Sequence, residues 1–87
     1  QYADAYGNLA IALLWAEDFA DAKIACNKAI EFESENALFL NTLGVIDLAL
    51  GNVRESITAF EKALALQPEY EEAQKNLEQA KQRLSRR

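Results

Sequence analysis

The sequence predicts an all-α fold of five helices, arranged as stacked antiparallel helix-turn-helix hairpins. Seven residues recur unchanged 34 positions further along the chain: Ala3, Leu9, Leu14, Ala25, Lys28, Ala29 and Glu35 return as Ala37, Leu43, Leu48, Ala59, Lys62, Ala63 and Glu69. A period of this length is typical of helical-hairpin arrays, whose units bury their apolar faces by stacking on one another. The 87 residues include one Pro and three Gly, which suits packed helices joined by short turns.

The first four helices are predicted from apolar residues spaced three and four positions apart, the spacing of one helix face. Their predicted ranges are about 3–16, 19–32, 37–50 and 53–66. Glu17 and Asp18 mark the first turn, because an acidic residue can cap the next helix and face its positive end. The polar segment Ser34–Asn36 forms the second turn, and Gly51 tolerates positive φ in the third. Pro68 ends the fourth helix, since the residue before a proline is pushed away from helical angles.

The fifth helix, at about 70–85, differs from the others because it is polar on all sides but one. Its apolar stripe consists of Ala73, Leu77, Ala80 and Leu84. Such a helix covers the last hairpin on one side and faces water on the other. We therefore expect a single domain with repeat 1 at 3–36, repeat 2 at 37–70 and a capping helix at 71–87. The chain begins within repeat sequence and without Met, so we expect it to be a fragment of a longer protein.

The composition argues against several classes of function. The chain contains no His and a single Cys, Cys26, so it lacks the commonest general base and metal ligand, and no paired-cysteine motif replaces them. We expect no enzyme activity, no metal and no cofactor. Cys26 falls at an apolar core position, and a lone thiol fits a reducing compartment such as the cytoplasm. No apolar run approaches the roughly 18 residues of a membrane span, so no membrane insertion is expected.

Charge is distributed unevenly along the chain. The net charge is −5 over residues 3–36, −2 over residues 37–70 and +2 over residues 71–87, which sums to the overall −5. An acidic body argues against a nucleic-acid partner, because phosphate binding relies on clustered Lys and Arg. The basic end has a simpler interpretation, since cations near a helix C-terminus complement its dipole.

Residues 37–70 resemble a tetratricopeptide repeat. Six residues fall on the spacings of that motif's apolar, Gly, Ala and Pro positions: Leu40, Leu43, Gly44, Phe60, Ala63 and Pro68. Residues 3–36 resemble it through Tyr6, Leu9, Ala22 and Ala29, and 71–87 is similar to the helix that commonly closes such arrays. The resemblance implies a right-handed solenoid that serves as a protein-protein interaction scaffold and binds a peptide or partner segment in its concave groove. The sequence departs from the pattern at six positions: Ala10, Glu17, Cys26, Ser34, Asp47 and Ser56.

The resemblance also implies which residues line the groove, because the first helix of each hairpin faces it in this family. The candidate groove residues are Asn8, Ile11, Leu38, Asn41, Thr42, Val45, Lys75, Asn76 and Gln79. Asn8, Thr42 and Asn76 share one repeat position, so their side chains are expected to align as rungs. The stretch 3–9 resembles the repeats of O-linked N-acetylglucosamine transferases, whose asparagine ladder binds extended peptides through their backbone amides. The alternative is that these are tolerated polar residues on an exposed helix face.

A second binding mode of the family does not fit this sequence. Chaperone-docking repeat domains hold an acidic C-terminal tail with two Lys, two Asn and one Arg. Here the corresponding positions are Gly7, Ile11, Thr42, Glu72 and Asn76. Because charge-assisted bonds are needed to hold a carboxylate, we expect no binding of such tails.

Three further expectations concern packing. Gly44 and Ala10 are expected where the two helices of a hairpin approach closely. Trp15 is expected to pack in the core or under the first turn rather than stand at the groove edge. A homo-oligomer through the N-terminal face stays an alternative to groove binding, because that face has apolar residues meant for a preceding repeat. Domain exchange belongs to the same alternative, since segment 15–19 contains no Gly or Pro.

Overall fold

The computed structural model describes residues 2–86 and places five α-helices in that range. They are α1 (Tyr2–Trp15), α2 (Phe19–Phe32), α3 (Ala37–Leu50), α4 (Val53–Leu66) and α5 (Glu71–Ser85). The predicted bounds of α2, α3 and α4 agree with these, and those of α1 and α5 differ by one residue. Differences of that size reflect the terminal hydrogen bonds that define a helix end. Gln1 and Arg87, the latter included in the predicted capping segment, lie outside the described residues.

The five helices form two layers. Each helix packs against the next one in the chain, and α3 also contacts both α1 and α5. The helices α1, α3 and α5 are therefore neighbours in one layer, and α2 and α4 pack against this layer without contacting each other. This arrangement places the candidate groove residues, which all lie on α1, α3 and α5, on one side of the molecule.

Complementary residue sizes set the close approach of the helices within each hairpin. In the second hairpin, a Cβ atom on Gly44 would lie 2.4 Å from Cε1 of Phe60, so no larger residue fits there. In the first hairpin, the same repeat positions hold Ala10 and Cys26, both fully buried. Because Cys is much smaller than Phe, the extra methyl group of Ala10 finds room. The predicted close approach is confirmed, and two departures from the repeat pattern compensate for each other.

A third close contact joins the two hairpins and was not predicted. A Cβ atom on Gly7 would lie 2.4 Å from Cε1 of Phe39. Phe39 is buried in a cluster with Ala3 and Ala29, so its ring fills the space between α1, α2 and α3. A larger residue in place of Gly7 would separate the hairpins.

The turns within the two hairpins have the same hydrogen bonds but different residues. After α3, Gly51 adopts φ 87°, and its N–H and that of Asn52 donate to the carbonyls of Leu48 and Asp47. After α1, Glu17 takes the equivalent place with φ 62°, the one positive φ of a non-Gly residue between Tyr2 and Arg86. The turn therefore forms without Gly and separates α1 from α2.

The capping of the helices differs from the prediction at Asp18. This residue occupies the N-cap of α2, but its side chain forms no capping hydrogen bond. The predicted side-chain cap is wrong, because Asp18 has φ −96° and ψ 71° instead of the extended backbone typical of a capping residue. At the start of α3, Asn36 is extended and its Oδ1 accepts a hydrogen bond from the N–H of Phe39 at 3.1 Å.

Candidate functional site

The candidate groove residues differ widely in their exposure. Four of them are exposed: Asn8, Leu38, Lys75 and Gln79. Three are half-buried: Ile11, Val45 and Asn76. The remaining two, Asn41 and Thr42, are buried. Within this candidate groove, the buried Asn41 and Thr42 form the floor, and the exposed residues present amide, ammonium and aliphatic groups.

A hydrogen-bonded network crosses this floor from α3 to α5. Oδ1 of Asn41 accepts from Nδ2 of Asn76 at 3.2 Å, and Nδ2 of Asn41 lies 3.5 Å from the hydroxyl of Tyr70. Burial and then the nearby Glu72 carboxylate raise the pKa of Tyr70, while the bond from Asn41 lowers it. The hydroxyl therefore stays protonated at neutral pH. The network holds the amide of Asn76 in a fixed orientation at the groove surface.

The three predicted rungs have different surroundings. The hydroxyl of Thr42 donates to the carbonyl of Leu38 at 2.8 Å, so its donor is used within α3. One of the two N–H groups of Asn76 Nδ2 donates to Asn41, which leaves the second N–H and Oδ1 without a partner in the described part of the chain. Asn8 is exposed, and its side chain has no hydrogen-bond partner in the described part of the chain. The three residues share one repeat position. Their neighbouring side chains determine which of their polar groups remain available to a ligand.

The end of the candidate groove next to the C-terminus of α3 is basic. Nη1 of Arg83 donates to the carbonyl of Leu48 at 3.1 Å, which satisfies a carbonyl in the last turn of α3. Arg83 and Arg86 line a shallow cavity of about 300 Å³ together with Leu48, Gln79 and Gln82. The basic end of α5 therefore also complements the C-terminal end of a second helix, which the sequence alone did not indicate.

Trp15 lies in solvent rather than in the core. Its side chain is 82% exposed, so the expectation that it packs in the core or under the turn is wrong. The equivalent residue of the second hairpin, Ala49, is exposed as well, which means that the hairpin offers no pocket at this position. Asn8, Ile11 and Trp15 are spaced three and four residues apart and share one face of α1. Trp15 thus stands at the edge of the candidate groove.

Asp47 occupies a position where the resemblance led us to expect an aromatic residue. Its carboxylate is 3% exposed, and Oδ1 accepts from Nζ of Lys23 at 2.8 Å and from Nδ2 of Asn52 at 3.2 Å. Because Lys23 lies on α2 and Asp47 on α3, the ion pair joins the two hairpins. The carboxylate is fully paired and has a structural role.

The single thiol is inert. Cys26 is fully buried, and its Sγ donates to the carbonyl of Phe39 at 3.3 Å. Burial and then the charge of Asp47 raise the pKa of Cys26 to about 12. The thiol is therefore protonated at neutral pH and is a poor nucleophile.

No cluster of three or more His, Cys, Asp or Glu residues that could hold a metal ion lies within residues 2–86. None of the helices described is long and apolar enough to cross a membrane.

Comparisons with known proteins agree with this geometry. Residues 37–70 match the family model of the tetratricopeptide repeat (TPR). The first TPR domain of human RPAP3 superposes with a TM-score of 0.89 at 28% identity, over 92% of this chain and 63% of that one. The second TPR domain of human RPAP3, in complex with the HSP70 peptide SGPTIEEVD, gives 0.88 at 26%, over 91% and 66%. The first TPR of Spaghetti (RPAP3), bound to the HSP90 peptide SRMEEVD, gives 0.93 at 26%, over 95% and 66%.

The chain spans just under two thirds of the length of these three structures. A comparison with curated protein sequences finds no match. The repeat match, the superposition of the helix arrangement and the recurrence of repeat residues in 3–36 agree with one another. Residues 37–70 therefore match a tetratricopeptide repeat, and the five-helix arrangement of the chain is similar to that of TPR domains over more than nine tenths of its length.

Proposed function

We propose that the protein is an interaction scaffold whose groove on α1, α3 and α5 binds an extended peptide segment of another protein. The observation that carries this proposal is the combination of an aliphatic strip with exposed amides on one side of the molecule. Ile11, Leu38 and Val45 form the strip, and Asn8 and Gln79 are exposed near it. Aliphatic side chains favour apolar peptide side chains, while an amide both donates to and accepts from a peptide backbone.

Trp15 extends this surface as an aromatic anchor. Exposed Trp is costly to leave in water and is enriched among residues that dominate binding energy. Its place on the same face of α1 as Asn8 and Ile11 supports contact with one end of a bound segment. Trp15 is also the single Trp of the chain, so its fluorescence reports on binding directly.

The bound segment is proposed to be neutral or basic rather than an acidic tail. The peptides in the similar structures, SGPTIEEVD and SRMEEVD, both end in acidic residues. Here Lys75 is the one cation among the candidate groove residues, and Glu72 stands where the chaperone-docking pattern has a Lys. A carboxylate-rich tail would lack charge-assisted bonds in this groove, and the net charge of −5 would repel it.

The experiment is a peptide selection followed by titration. Random twelve-residue peptides displayed on phage are selected on the 87-residue chain, and the winners are titrated while the fluorescence of Trp15 is recorded. Asn8→Ala should weaken binding about thirtyfold, since two hydrogen bonds to a peptide backbone contribute about 1 kcal/mol each. Asn27→Ala, which removes an exposed amide from α2, is the matched control and should leave affinity unchanged.

Two results would contradict the proposal. One is equal affinity of the wild-type chain and Asn8→Ala for every selected peptide. The other, which bears on the charge of the segment, is micromolar affinity for SRMEEVD measured by calorimetry.

We also infer that the protein has no catalytic role and binds no nucleic acid. The acidic body and the protonated thiol of Cys26 support both inferences. A lone reduced thiol further supports a cytoplasmic location.

A second candidate function is self-association through the outer face of α1 and α2. Leu9 is 47% exposed and Ile24 is 60% exposed on this face. Adjacent exposed apolar residues of this size are characteristic of interaction surfaces.

A further inference from the structure

The outer side of each hairpin carries the same cavity, formed by equivalent residues. In the first hairpin a cavity of about 310 Å³ is lined by Tyr6, Leu9, Leu13, Asp21, Ile24, Ala25 and Lys28. We call these seven residues the N-terminal face. In the second hairpin a cavity of about 260 Å³ is lined by the residues 34 positions further on, Leu40, Leu43, Asp47, Glu55, Thr58, Ala59 and Lys62, together with Lys23. The two cavities therefore occupy equivalent positions, but they differ in several lining residues and in what covers them.

In the second hairpin the cover comes from the preceding helix. Lys23 of α2 reaches into that cavity and pairs with Asp47 at 2.8 Å. In the first hairpin the position of Asp47 is taken by Leu13, and the position of Thr58 is taken by Ile24. The buried carboxylate of the second cavity therefore has no counterpart in the first, where the one carboxylate of the lining is the exposed Asp21. The N-terminal face thus fits an apolar partner surface.

We propose that the partner is a second copy of the chain, bound face to face through a two-fold axis, with α1 and α2 each antiparallel to their counterparts. The proposal rests on the second candidate function and specifies its geometry. The charges of the face are arranged for self-pairing. Asp21 and Lys28 are both exposed on α2, and within residues 2–86 neither forms an ion pair, since the pair found there joins Lys23 to Asp47.

The sequence positions of these charges define the axis. Asp21 and Lys28 are separated by seven residues, or about 10.5 Å along the helix, and their midpoint lies beside Ile24. A two-fold axis through that midpoint brings Asp21 of each copy opposite Lys28 of the other, which forms two ion pairs. A closed symmetric contact of this kind uses the same patch on both subunits.

The apolar residues that α1 contributes to the N-terminal face are centred on the same two-fold axis. Tyr6 and Leu13 are also seven residues apart, and their midpoint lies beside Leu9. Because α1 and α2 are antiparallel, Leu9 and Ile24 lie level with each other in the hairpin, and both line the cavity. The axis therefore brings Leu9 against Leu9, Ile24 against Ile24, and Tyr6 against Leu13. The charged pairs lie at the two ends of this apolar centre.

The size of the face predicts a weak dimer. Two helices of 14 residues, each about 21 Å long, lie side by side and present roughly 400 Å² per copy. The total of roughly 800 Å² lies below the range of stable complexes, about 1,200 Å² and more. The equilibrium should therefore depend on concentration and be visible only at high protein concentration.

The first test measures mass against concentration by sedimentation equilibrium of the 87-residue chain at low ionic strength. The wild-type chain should shift from monomer to dimer as concentration rises, without larger species. Ile24→Glu places two carboxylates at the axis and should raise the dissociation constant at least tenfold. Thr58→Glu introduces the same residue at the equivalent exposed position of α4. This variant is the matched control and should dimerise as the wild type does.

The second test exchanges charges across the axis. Asp21→Lys and Lys28→Asp should each weaken dimerisation, because each creates two like-charge pairs. An equimolar mixture of the two variants should regain it as a mixed dimer, since both cross-axis pairs then have opposite charges. Circular dichroism should show unchanged helicity, because both residues are exposed.

Three outcomes would overturn the proposal: a monomer at every concentration, equal effects of Ile24→Glu and Thr58→Glu, or a mixture that stays monomeric. A monomer at every concentration would show that the N-terminal face does not bind a second copy of the chain. Peptide binding in the groove is measured separately from dimerisation. Because Ile24 lies outside the groove, the Ile24→Glu variant should bind the selected peptides with unchanged affinity. Loss of dimerisation and loss of peptide binding are therefore distinguishable.

Discussion

Glu17 adopts the strained backbone conformation that the turn between α1 and α2 requires. It adopts φ 62°, in the left-handed region, and forms the same two backbone bonds that Gly51 forms in the other hairpin. Left-handed backbone costs a residue with a Cβ atom about 1–2 kcal/mol, whereas Gly adopts it freely. The turn of the first hairpin is therefore strained at Glu17, whereas the turn of the second hairpin is not strained at Gly51.

We predict that Glu17→Gly raises the free energy of unfolding by about 0.5–1 kcal/mol. The gain is smaller than the strain it relieves, because Gly also increases the entropy of the unfolded chain. The converse change, Gly51→Ala, should lower stability by about 1 kcal/mol through backbone strain alone, since a Cβ atom there would meet nothing within 4 Å. Urea denaturation measures both. A Glu17→Gly variant less stable than the wild type would show that the carboxylate has a stabilising role.

At the scale of elements, the ion pair between Lys23 and Asp47 connects α2 to α3. Asp47 is 3% exposed, while the side chain of Lys23 is 34% exposed. The pair therefore takes one charge fully out of water and the other only in part. Removing the lysine would leave a buried carboxylate with Asn52 as its remaining side-chain partner, which is more costly than never having had the charge.

We predict that Lys23→Met lowers the free energy of unfolding by about 1–3 kcal/mol. The double variant Lys23→Met/Asp47→Leu should recover most of that loss, because apolar replacement of both partners removes the unpaired charge. Lys81→Met, which changes an exposed lysine on α5, should have no measurable effect. The measurement is the thermal unfolding of the wild-type chain and of these three variants. If the double variant is as unstable as Lys23→Met, packing rather than charge explains the loss.

The helices could be predicted from the sequence more completely than the side-chain contacts of the candidate groove residues. Helix bounds follow from local periodicity and turn residues, so all five helices were found within one residue. Asn41 accepts a hydrogen bond from Asn76, 35 residues away, and no local pattern contains that pairing. Trp15 was misplaced because an apolar residue in a small domain is usually buried, whereas the hairpin has no pocket at its position.

At the scale of the whole molecule, α5 covers one end of the stacked helices and carries three of the proposed groove residues. Ala73 and Ala80 are fully buried, and Ala73 packs in a cluster with Leu40 and Ala63. The remaining faces of α5 are polar, which ends the series of stacked helices in water. The domain thus has one polar end at α5 and one apolar end at α1 and α2. The contrast explains why self-association is proposed at only one end.

We predict that a chain truncated after Tyr70 has little residual stability. Removal of α5 exposes the cluster of Leu40 and Ala63 and loses the burial of Leu77 and Leu84, which together should cost about 4 kcal/mol or more. A domain of this size has roughly 4–13 kcal/mol in total, so the truncated chain should unfold at much lower urea concentration and bind an apolar dye. Leu77→Gln/Leu84→Gln in the full chain keeps the helix but weakens its packing, and should give an intermediate midpoint. A truncated chain that unfolds cooperatively at the wild-type midpoint would show that two repeats are stable without their closing helix.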